Sequence, residues 1–253
     1  MSHRFPPLTL PSPSKRSLPY RSTFLLFAAL TLPAALIAGC GSSSSSSPSG
    51  NGVASKSANE IVAATKAAAD GASSVHVSGS ATSGKTPLAL DFELATNKGA
   101  RGKITQSGLS FEFIEIGGVT YIKGDRAFYA HFGGSSAPQL FEGKWLKVPA
   151  GDKSFGSLGS LLNLHALLDG ALTNHGALTK GSTATVNGQE SVGVTDAAKG
   201  GTLYVATTGT AYPVAVVKTG AEGGKISFSD WGKSVALVAP ASSIDISQLG
   251  AGH

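Results

Sequence analysis

The feature that most restricts the fold is an alternation of apolar and polar residues with a period of two, which recurs between residues 73 and 239. It is clearest where Leu88, Leu90 and Phe92 alternate with small or acidic residues. Because successive side chains of a strand point to opposite faces, this pattern predicts strands with one buried face. Short turns rich in glycine separate the runs, so neighbouring strands are expected to pair antiparallel.

The alternation predicts a first strand that begins near Ser73 and a series of strands after it. These are expected at about 88–95, 100–106, 109–116, 118–123, 126–132, 144–148, 182–187, 190–195, 202–207, 213–218, 224–230 and 234–239. The pairs Gly117-Gly118 and Asn187-Gly188 are typical of two-residue hairpin turns.

Two segments have a helical period instead. A helix is predicted over 57–70, where Ser57 and Glu60 form a capping box and Gly71 follows the last turn. A second is predicted over 157–168, where leucines cover nearly the whole circumference. A helix that is apolar all round has to be enclosed. The residues therefore predict an α+β fold, mainly β, in which the second helix lies inside the concavity of a curved antiparallel sheet.

The first forty residues indicate export. Basic residues up to Arg21 precede an apolar stretch at 23–37, and small residues then lead to Cys40. This is the order of a secretory signal. A transmembrane anchor is the alternative, but the stretch is shorter than the roughly 20 residues needed to span a bilayer, and Pro33 interrupts it.

The residues Ile37-Ala38-Gly39-Cys40 resemble the bacterial lipobox. The resemblance implies cleavage before Cys40 and attachment of lipid to its sulfur. Cys40 is the only cysteine, so it has no intramolecular disulfide partner. We therefore predict a signal peptide over 1–39, a lipidated cysteine with a flexible Ser/Gly linker over 40–56, and a folded domain over 57–249. The protein is expected on the outer face of the cell membrane, with the linker long enough for the domain to reach the bilayer.

The distribution of charge argues against a nucleic-acid partner. Of the 20 lysines and arginines, Arg4, Lys15, Arg16 and Arg21 precede residue 40, whereas all 15 acidic residues follow it. The part after the signal is therefore nearly neutral, and a nucleic-acid-binding protein needs a basic face.

The stretch 57–249 resembles the actinobacterial cell-envelope lipoproteins of the LppX and LprG type. The pieces that carry the likeness are SSVHVSGS at 73–80, GGVTYIKG at 117–124, GKWLKVP at 143–149 and ISFSDWGKSVALVAP at 226–240. The resemblance implies a half-barrel like that of the periplasmic lipoprotein carriers, in which a strongly curved antiparallel sheet encloses two or more helices. Acyl chains of envelope lipids would be held between the sheet and the helices.

Short motifs that suggest catalysis or metal binding do not have the context they need. GSATSGKT at 79–86 matches a P-loop, but a strand follows it where a helix is required, so we expect a hairpin loop. Lys218-Thr219-Gly220 matches the KTG element of penicillin-recognising enzymes, but the nucleophilic serine of an S-x-x-K motif that these enzymes need is missing after Cys40. The histidines have no metal-ligand spacing; His76 is expected on the polar side of a strand and His165 in a structural role. The sequence therefore predicts no catalytic residues, metal or cofactor.

Three functions remain open at this stage. The first is a lipid-binding or lipid-carrying lipoprotein, in which acylated lipids occupy a cavity lined by Leu88, Leu90, Phe92, Leu161, Leu164, Leu168 and Phe228. The same residues would also form an ordinary dry core. The second is a structural or adaptor lipoprotein that binds an unidentified envelope protein through its sheet. An enzyme is the third and has the least support.

Overall fold

A computed structural model of the protein describes residues 50–83, 85–148, 175–221 and 223–248. Within these ranges twelve strands form one sheet. They are β1 (Ser74–Ser83), β2 (Thr86–Ala95), β3 (Gly99–Gln106), β4 (Leu109–Ile116), β5 (Val119–Gly124), β6 (Leu146–Val148), β7 (Leu178–Val186), β8 (Gln189–Asp196), β9 (Gly201–Ala206), β10 (Pro213–Lys218), β11 (Gly224–Ser229) and β12 (Ile244–Asp245).

The order of the strands across the sheet is β12-β6-β5-β4-β3-β2-β1-β11-β10-β9-β8-β7. Every described pair is antiparallel except β6 and β12, which run parallel. The sheet is curved and unclosed, with β12 at one edge and β7 at the other. This confirms the predicted fold class, a mainly β half-barrel with few helices.

Tight turns fix the register of the hairpins. Gly117 and Gly118 join β4 to β5 with φ of 59° and 76°, and Asn187 and Gly188 join β7 to β8 with φ of 51° and 79°. Two consecutive residues with positive φ form the turn whose twist matches that of the flanking strands. Both predicted hairpins are confirmed. The P-loop match likewise lies in β1, the turn after it and the first residue of β2, as expected of a hairpin.

Three α-helices lie in the described ranges: α1 (Ala58–Asp70), α2 (Arg126–Gly133) and α3 (Ala137–Phe141). The helix α1 confirms the first helix prediction. The backbone N–H of Glu60 donates to the Ser57 hydroxyl, and the backbone N–H of Ser57 donates to the Glu60 carboxylate. The Ser57 hydroxyl also holds the pKa of Glu60 below its usual value. Helix α1 buries Ile61, Thr65 and Ala69 and contacts β7 and β8.

Two predicted strands are wrong. Residues 126–132 form α2, because the Asp125 side chain accepts the Phe128 N–H at 2.7 Å and starts a helix. Residues 234–239 join no strand. This segment passes the ends of β1 and β3, and each of these strands already has a neighbouring strand on both sides. The chain next pairs with a strand at Ile244, which lies beside Leu146 of β6. The predicted helix at 157–168 lies outside the described residues.

The linker prediction is wrong for residues 50–56, which pack against the sheet. Gly50 forms a β-bridge with Thr208, and the Asn51 side chain donates to the Ala206 carbonyl at 2.9 Å. A short 3₁₀ helix follows over Val53–Ser55, in which Val53 is only 1% exposed. Serine- and glycine-rich composition suggested disorder here, but one buried valine and one asparagine are enough to hold the segment.

Close packing of β1 against β11 gives a test of the sheet. Gly79 has φ of 141°, and a Cβ atom there would lie 2.0 Å from the Lys225 carbonyl oxygen. We expect Gly79→Ala to lower the free energy of unfolding by about 2–4 kcal/mol in urea titrations, because backbone atoms would have to move.

Gly181→Ala is the matched control for this substitution. Gly181 also lies in a strand, but its nearest neighbour would be 3.5 Å from an added Cβ atom. Its effect should stay within about 0.5 kcal/mol. Equal effects of the two substitutions would contradict the close approach of β1 and β11.

Candidate functional site

The inward face of the sheet carries an unbroken apolar row. Antiparallel pairing aligns Phe228, Val77, Phe92, Gly102, Phe113 and Ile122 across six strands. The Phe92 and Phe113 side chains are each 1% exposed, and their ring centroids lie 6.1 Å apart. Gly102 stands between them because a Cβ atom there would lie 2.3 Å from the Cβ of Phe92. The glycine therefore makes room for the aromatic pair.

Four of the predicted lining residues lie on this face. Leu90 and Phe228 are each 7% exposed, Phe92 is buried, and Leu88 is half-buried at the edge of the same cluster. The period of two thus placed these four side chains on one face correctly. The other three predicted lining residues, Leu161, Leu164 and Leu168, lie outside the described ranges. That the seven line a cavity stays a prediction.

A depression of about 250 Å³ lies where β1 ends and β2 and β11 begin, and Ser80, Ala89 and Thr105, which pair with one another on the outward face, contribute to its lining. Its lining includes Ala81, Leu88 and Gly224, and its other residues are small or hydroxylated. Gly224 and Ala81 are register partners, and the backbones approach so closely that a Cβ atom at Gly224 would lie 2.4 Å from Ala81 Cα. The volume is slightly below the roughly 300–1,000 Å³ of small-molecule sites. The depression is therefore a shallow groove.

An aromatic cluster joins the sheet to α2. The Phe128 ring lies 5.2 Å from that of Phe111 in β4 and 4.8 Å from that of Phe132. Phe128 is buried, but Phe132 is 60% exposed and Leu140 of α3 is 56% exposed. The exposed position of Phe132 was not predicted, because the alternation assigned residues 126–132 to a strand. The Asp125 N-cap was the signal that could have revealed the helix.

The Tyr129 hydroxyl joins α2 to the backbone of Gly124, which precedes the helix, and to the backbone of Lys144, which follows α3. It accepts the Gly124 N–H at 3.0 Å and donates to the Lys144 carbonyl at 3.0 Å. Burial raises the pKa of Tyr129, so this phenol keeps its proton and its role as a donor. The two hydrogen bonds hold α2 against the end of β5.

The outward face of the same strands is charged. Asp91, Lys103, Glu112 and Lys123 are successive register partners with alternating sign. The Lys123 Nζ lies 2.9 Å from the Glu112 carboxylate and 5.0 Å from the ring centroid of Trp145. Such exposed pairs contribute little stability, but they keep this face in water. The sheet therefore has one apolar and one hydrated face.

The outward face also brings together Ser229, His76 and Asp91, which are far apart in the sequence. The Ser229 hydroxyl lies 3.3 Å from His76 Nδ1, and the Asp91 carboxylate lies 2.7 Å from His76 Nε2. These are the residue types of a hydrolase triad, in which the carboxylate is buried. The Asp91 side chain is 74% exposed, and none of the three lines the depression described above. The position of His76 on the polar face is as predicted.

We expect this trio to be catalytically inert. The Ser229→Ala variant should hydrolyse a soluble p-nitrophenyl ester at the same low rate as the unaltered protein, because an exposed carboxylate does not hold the imidazole for proton transfer. Absorbance of released nitrophenol at neutral pH measures this rate. A several-fold loss of activity in Ser229→Ala, but not in Ser227→Ala, would identify Ser229 as a nucleophile.

Asp196 holds the start of β7 to the turn after β8. Its carboxylate accepts the backbone N–H groups of Gly176, Ala198 and Lys199 at 3.0, 2.9 and 3.1 Å. The Gly176 N–H, followed by those of Lys199 and Ala198, holds the pKa of Asp196 below its usual value. The charged form of Asp196 is therefore the form that stabilises the fold.

This gives a pH dependence with a definite sign. A carboxyl group whose pKa is lowered by folding stabilises the protein above its unfolded pKa of about 3.9, and loses that effect as the pH falls through the folded value. Asp196→Asn should therefore lower the free energy of unfolding near neutral pH. The difference from the unaltered protein should shrink in urea titrations below about pH 4. If the two proteins differed in free energy of unfolding by the same amount at every pH, the stabilising role of the charged Asp196 carboxylate would be contradicted.

Neither a metal site nor a membrane-spanning helix is found in the described ranges. No group of three or more His, Cys, Asp or Glu side chains there is placed to hold a metal ion. No helix in those ranges is both long and apolar enough to cross a bilayer.

Comparison with known proteins identifies the fold. No protein-family model and no curated protein sequence matches the chain. Among solved structures, LprF from Mycobacterium bovis matches with a TM-score of 0.52 and 19% identity, over 73% of this chain and 97% of LprF. The lipoprotein LppX from Mycobacterium tuberculosis matches with a TM-score of 0.46 and 16% identity, over 72% of this chain and 98% of LppX. The chain therefore shares its fold with LprF, a structure of the LppX/LprG type, as the sequence resemblance predicted.

Proposed function

We propose that this protein is a lipid-anchored lipoprotein of the cell envelope that binds or carries acylated lipids in an apolar cavity between its sheet and its helices. It acts by binding and catalyses no reaction. The observation that carries the proposal is the apolar row on the inward face of a curved, open sheet. The shared fold with LprF supports the architecture.

The inward face has the chemistry that acyl chains require. The side chains of Leu90, Phe92, Phe113 and Phe228 lie on one surface, and Leu88 packs at its edge. Burial of acyl chains against such a surface contributes roughly 25 cal/mol per Å² of apolar area. In this proposal the acyl chains lie on the inward side of the sheet, where Leu161, Leu164 and Leu168 complete the lining.

The anchor belongs to the same proposal. Acylation of Cys40 would fix the chain to the outer face of the membrane, and stable attachment needs more than one acyl chain. The sequence from residue 41 to residue 49 consists almost entirely of serine and glycine, and the packed domain begins at Gly50. In this proposal these residues form the tether between the anchor and the domain.

Native mass spectrometry of the full chain, purified from membranes in mild detergent, tests the binding of lipid. We expect a second mass beyond the covalent lipid of Cys40, and organic extraction should identify it as an acylated lipid. Leu164→Trp should reduce its occupancy several-fold, because indole would fill space that acyl chains need.

The matched control is Leu140→Trp, in which the same substitution is made on the exposed surface of α3. It should leave the occupancy unchanged, and thermal unfolding should show that both variants are folded. Absence of any extracted lipid, together with no uptake of a fluorescent fatty-acyl probe, would contradict lipid binding.

The second candidate is a non-catalytic adaptor that binds an envelope protein. It is favoured by the exposed side chains of Phe132 and Leu140 on the adjoining helices α2 and α3, since exposed apolar patches often mark a binding surface. An adaptor would elute without lipid, and Phe132→Ser would weaken its capture of a protein from envelope extracts. A carrier would retain its lipid in that variant.

A further inference from the structure

Helix α2 packs against the inward face of the sheet where β5 ends. Gly124, the last residue of β5, lies two residues after Ile122 of the apolar row and pairs with Phe111 of β4. Because side chains alternate between the faces of a strand, Gly124 and Phe111 belong to the same face as Ile122. A Cβ atom at Gly124 would lie 2.3 Å from the Phe128 ring, so the glycine leaves room for this ring against the sheet. Helix α2 therefore covers one end of the inward face.

A series of ring contacts runs from the middle of the inward face to the outer side of α2. The ring centroid of Phe113 lies 6.1 Å from that of Phe92 and 6.4 Å from that of Phe111. The series continues from Phe111 to Phe128 at 5.2 Å and from Phe128 to Phe132 at 4.8 Å. Phe92 at one end is 1% exposed, whereas Phe132 at the other end is 60% exposed. The apolar surface of the interior thus continues, ring by ring, to the solvent.

The exposed ring at the end of this series has a defined position. Phe128 and Phe132 are four residues apart and therefore lie on the same side of α2. The Tyr129 hydroxyl holds the helix to the backbone of Gly124 and of Lys144. The outermost ring is therefore presented to water by a helix that is fixed to the sheet.

The chain around the exposed ring has no formal charge. Residues 127–141 include no Asp, Glu, Lys or Arg, and their ionisable side chains are those of Tyr129 and His131. The charged residues on either side of this stretch, Arg126 and Glu142, pair with each other at 3.3 Å. Removal of a charged group from water is costly. An acyl chain that moves along this stretch does not have to strip water from an ion.

From this arrangement we propose that acylated lipids enter and leave the inward face past α2, and that Phe132 is the first side chain that an entering acyl chain contacts. This route presupposes the proposed function, since it needs a lipid bound on the inward face. Contact with the exposed ring removes apolar surface of the acyl chain from water before the chain reaches the interior. A side chain on the route changes the barrier for entry and exit alike. Phe132 therefore controls the rate of lipid exchange, whereas the amount of lipid bound at equilibrium does not depend on it.

Time-resolved native mass spectrometry of the acylated full chain measures the rate of exchange. Protein loaded with palmitic acid in mild detergent is mixed with an excess of perdeuterated palmitic acid, and the rise in mass of the bound ligand is followed. Phe132→Gln should slow this exchange several-fold, because a polar amide replaces the first apolar contact, and the fraction of protein that carries lipid should stay the same. Phe132→Leu keeps an apolar side chain and should exchange at close to the rate of the unaltered protein.

Val238→Gln is the matched control, because Val238 is 72% exposed and lies after β11, outside the series of rings. It should change neither the rate of exchange nor the occupancy, and thermal unfolding should show that all three variants are folded. An unchanged rate in Phe132→Gln would overturn the route and would leave the exposed ring to the adaptor function. Equal slowing in Val238→Gln or in Phe132→Leu, or a lower occupancy in Phe132→Gln, would also overturn it.

The same spectra distinguish a failure of the route from a failure of the proposed function. If the unaltered protein does not bind palmitic acid, the binding of acyl chains is contradicted and the route with it. If palmitic acid is bound and exchanges equally fast in all variants, only the route past α2 is overturned.

Discussion

The need to cover one apolar face governs this structure. In an antiparallel sheet every second side chain of a strand lies on the same face. Here the apolar residues of the alternation lie on one face, which carries Leu90, Phe92, Phe113 and Phe228. These side chains are no more than 7% exposed. Exposing this surface to water would cost roughly 25 cal/mol per Å². The sheet therefore curves around its apolar side, and the charged row of the outward face remains in water. Both faces result from the alternation of apolar and polar residues along the strands. Once the register of the strands is set, the residues of each face are set as well.

Register is held mainly by local features. The positive φ angles at Gly117-Gly118 and Asn187-Gly188 leave each hairpin one favourable pairing. A slip by one residue would turn Phe92 outward and Asp91 inward, which would bury a carboxylate without a partner. Glycines complete the fit where backbones or rings meet, as Gly102 does beside Phe92. The wide inward face thus depends on turns that lie at the rims of the sheet.

Most of the sheet could be predicted from the sequence because alternation and turn residues are local signals. The failures have physical causes. The segment with Phe128 and Phe132 has aromatic residues typical of strands, yet the capping carboxylate of Asp125 starts a helix. Residues 234–239 also alternate, but the adjoining strands already have partners, so no ladder is available. The placement of Leu88, Leu90, Phe92 and Phe228 on one face was predictable. Whether that face borders an open volume was not, because alternation does not distinguish a cavity from a dry core.

Composition was misleading at the start of the domain, where a few contacts outweigh the tendency of serine and glycine to remain disordered. Val53 inserts into the core, and the Asn51 side chain donates to the end of β9 while accepting the Val53 N–H at 3.0 Å. From β7, the Lys180 ammonium donates to the carbonyls of Ala54 and Lys56. Segment 50–56 is thereby joined to both β7 and β9. Residues 50–56 therefore belong to the packing of the sheet, and composition alone could not reveal this because the contacts that hold them come from strands more than 120 residues further along the chain.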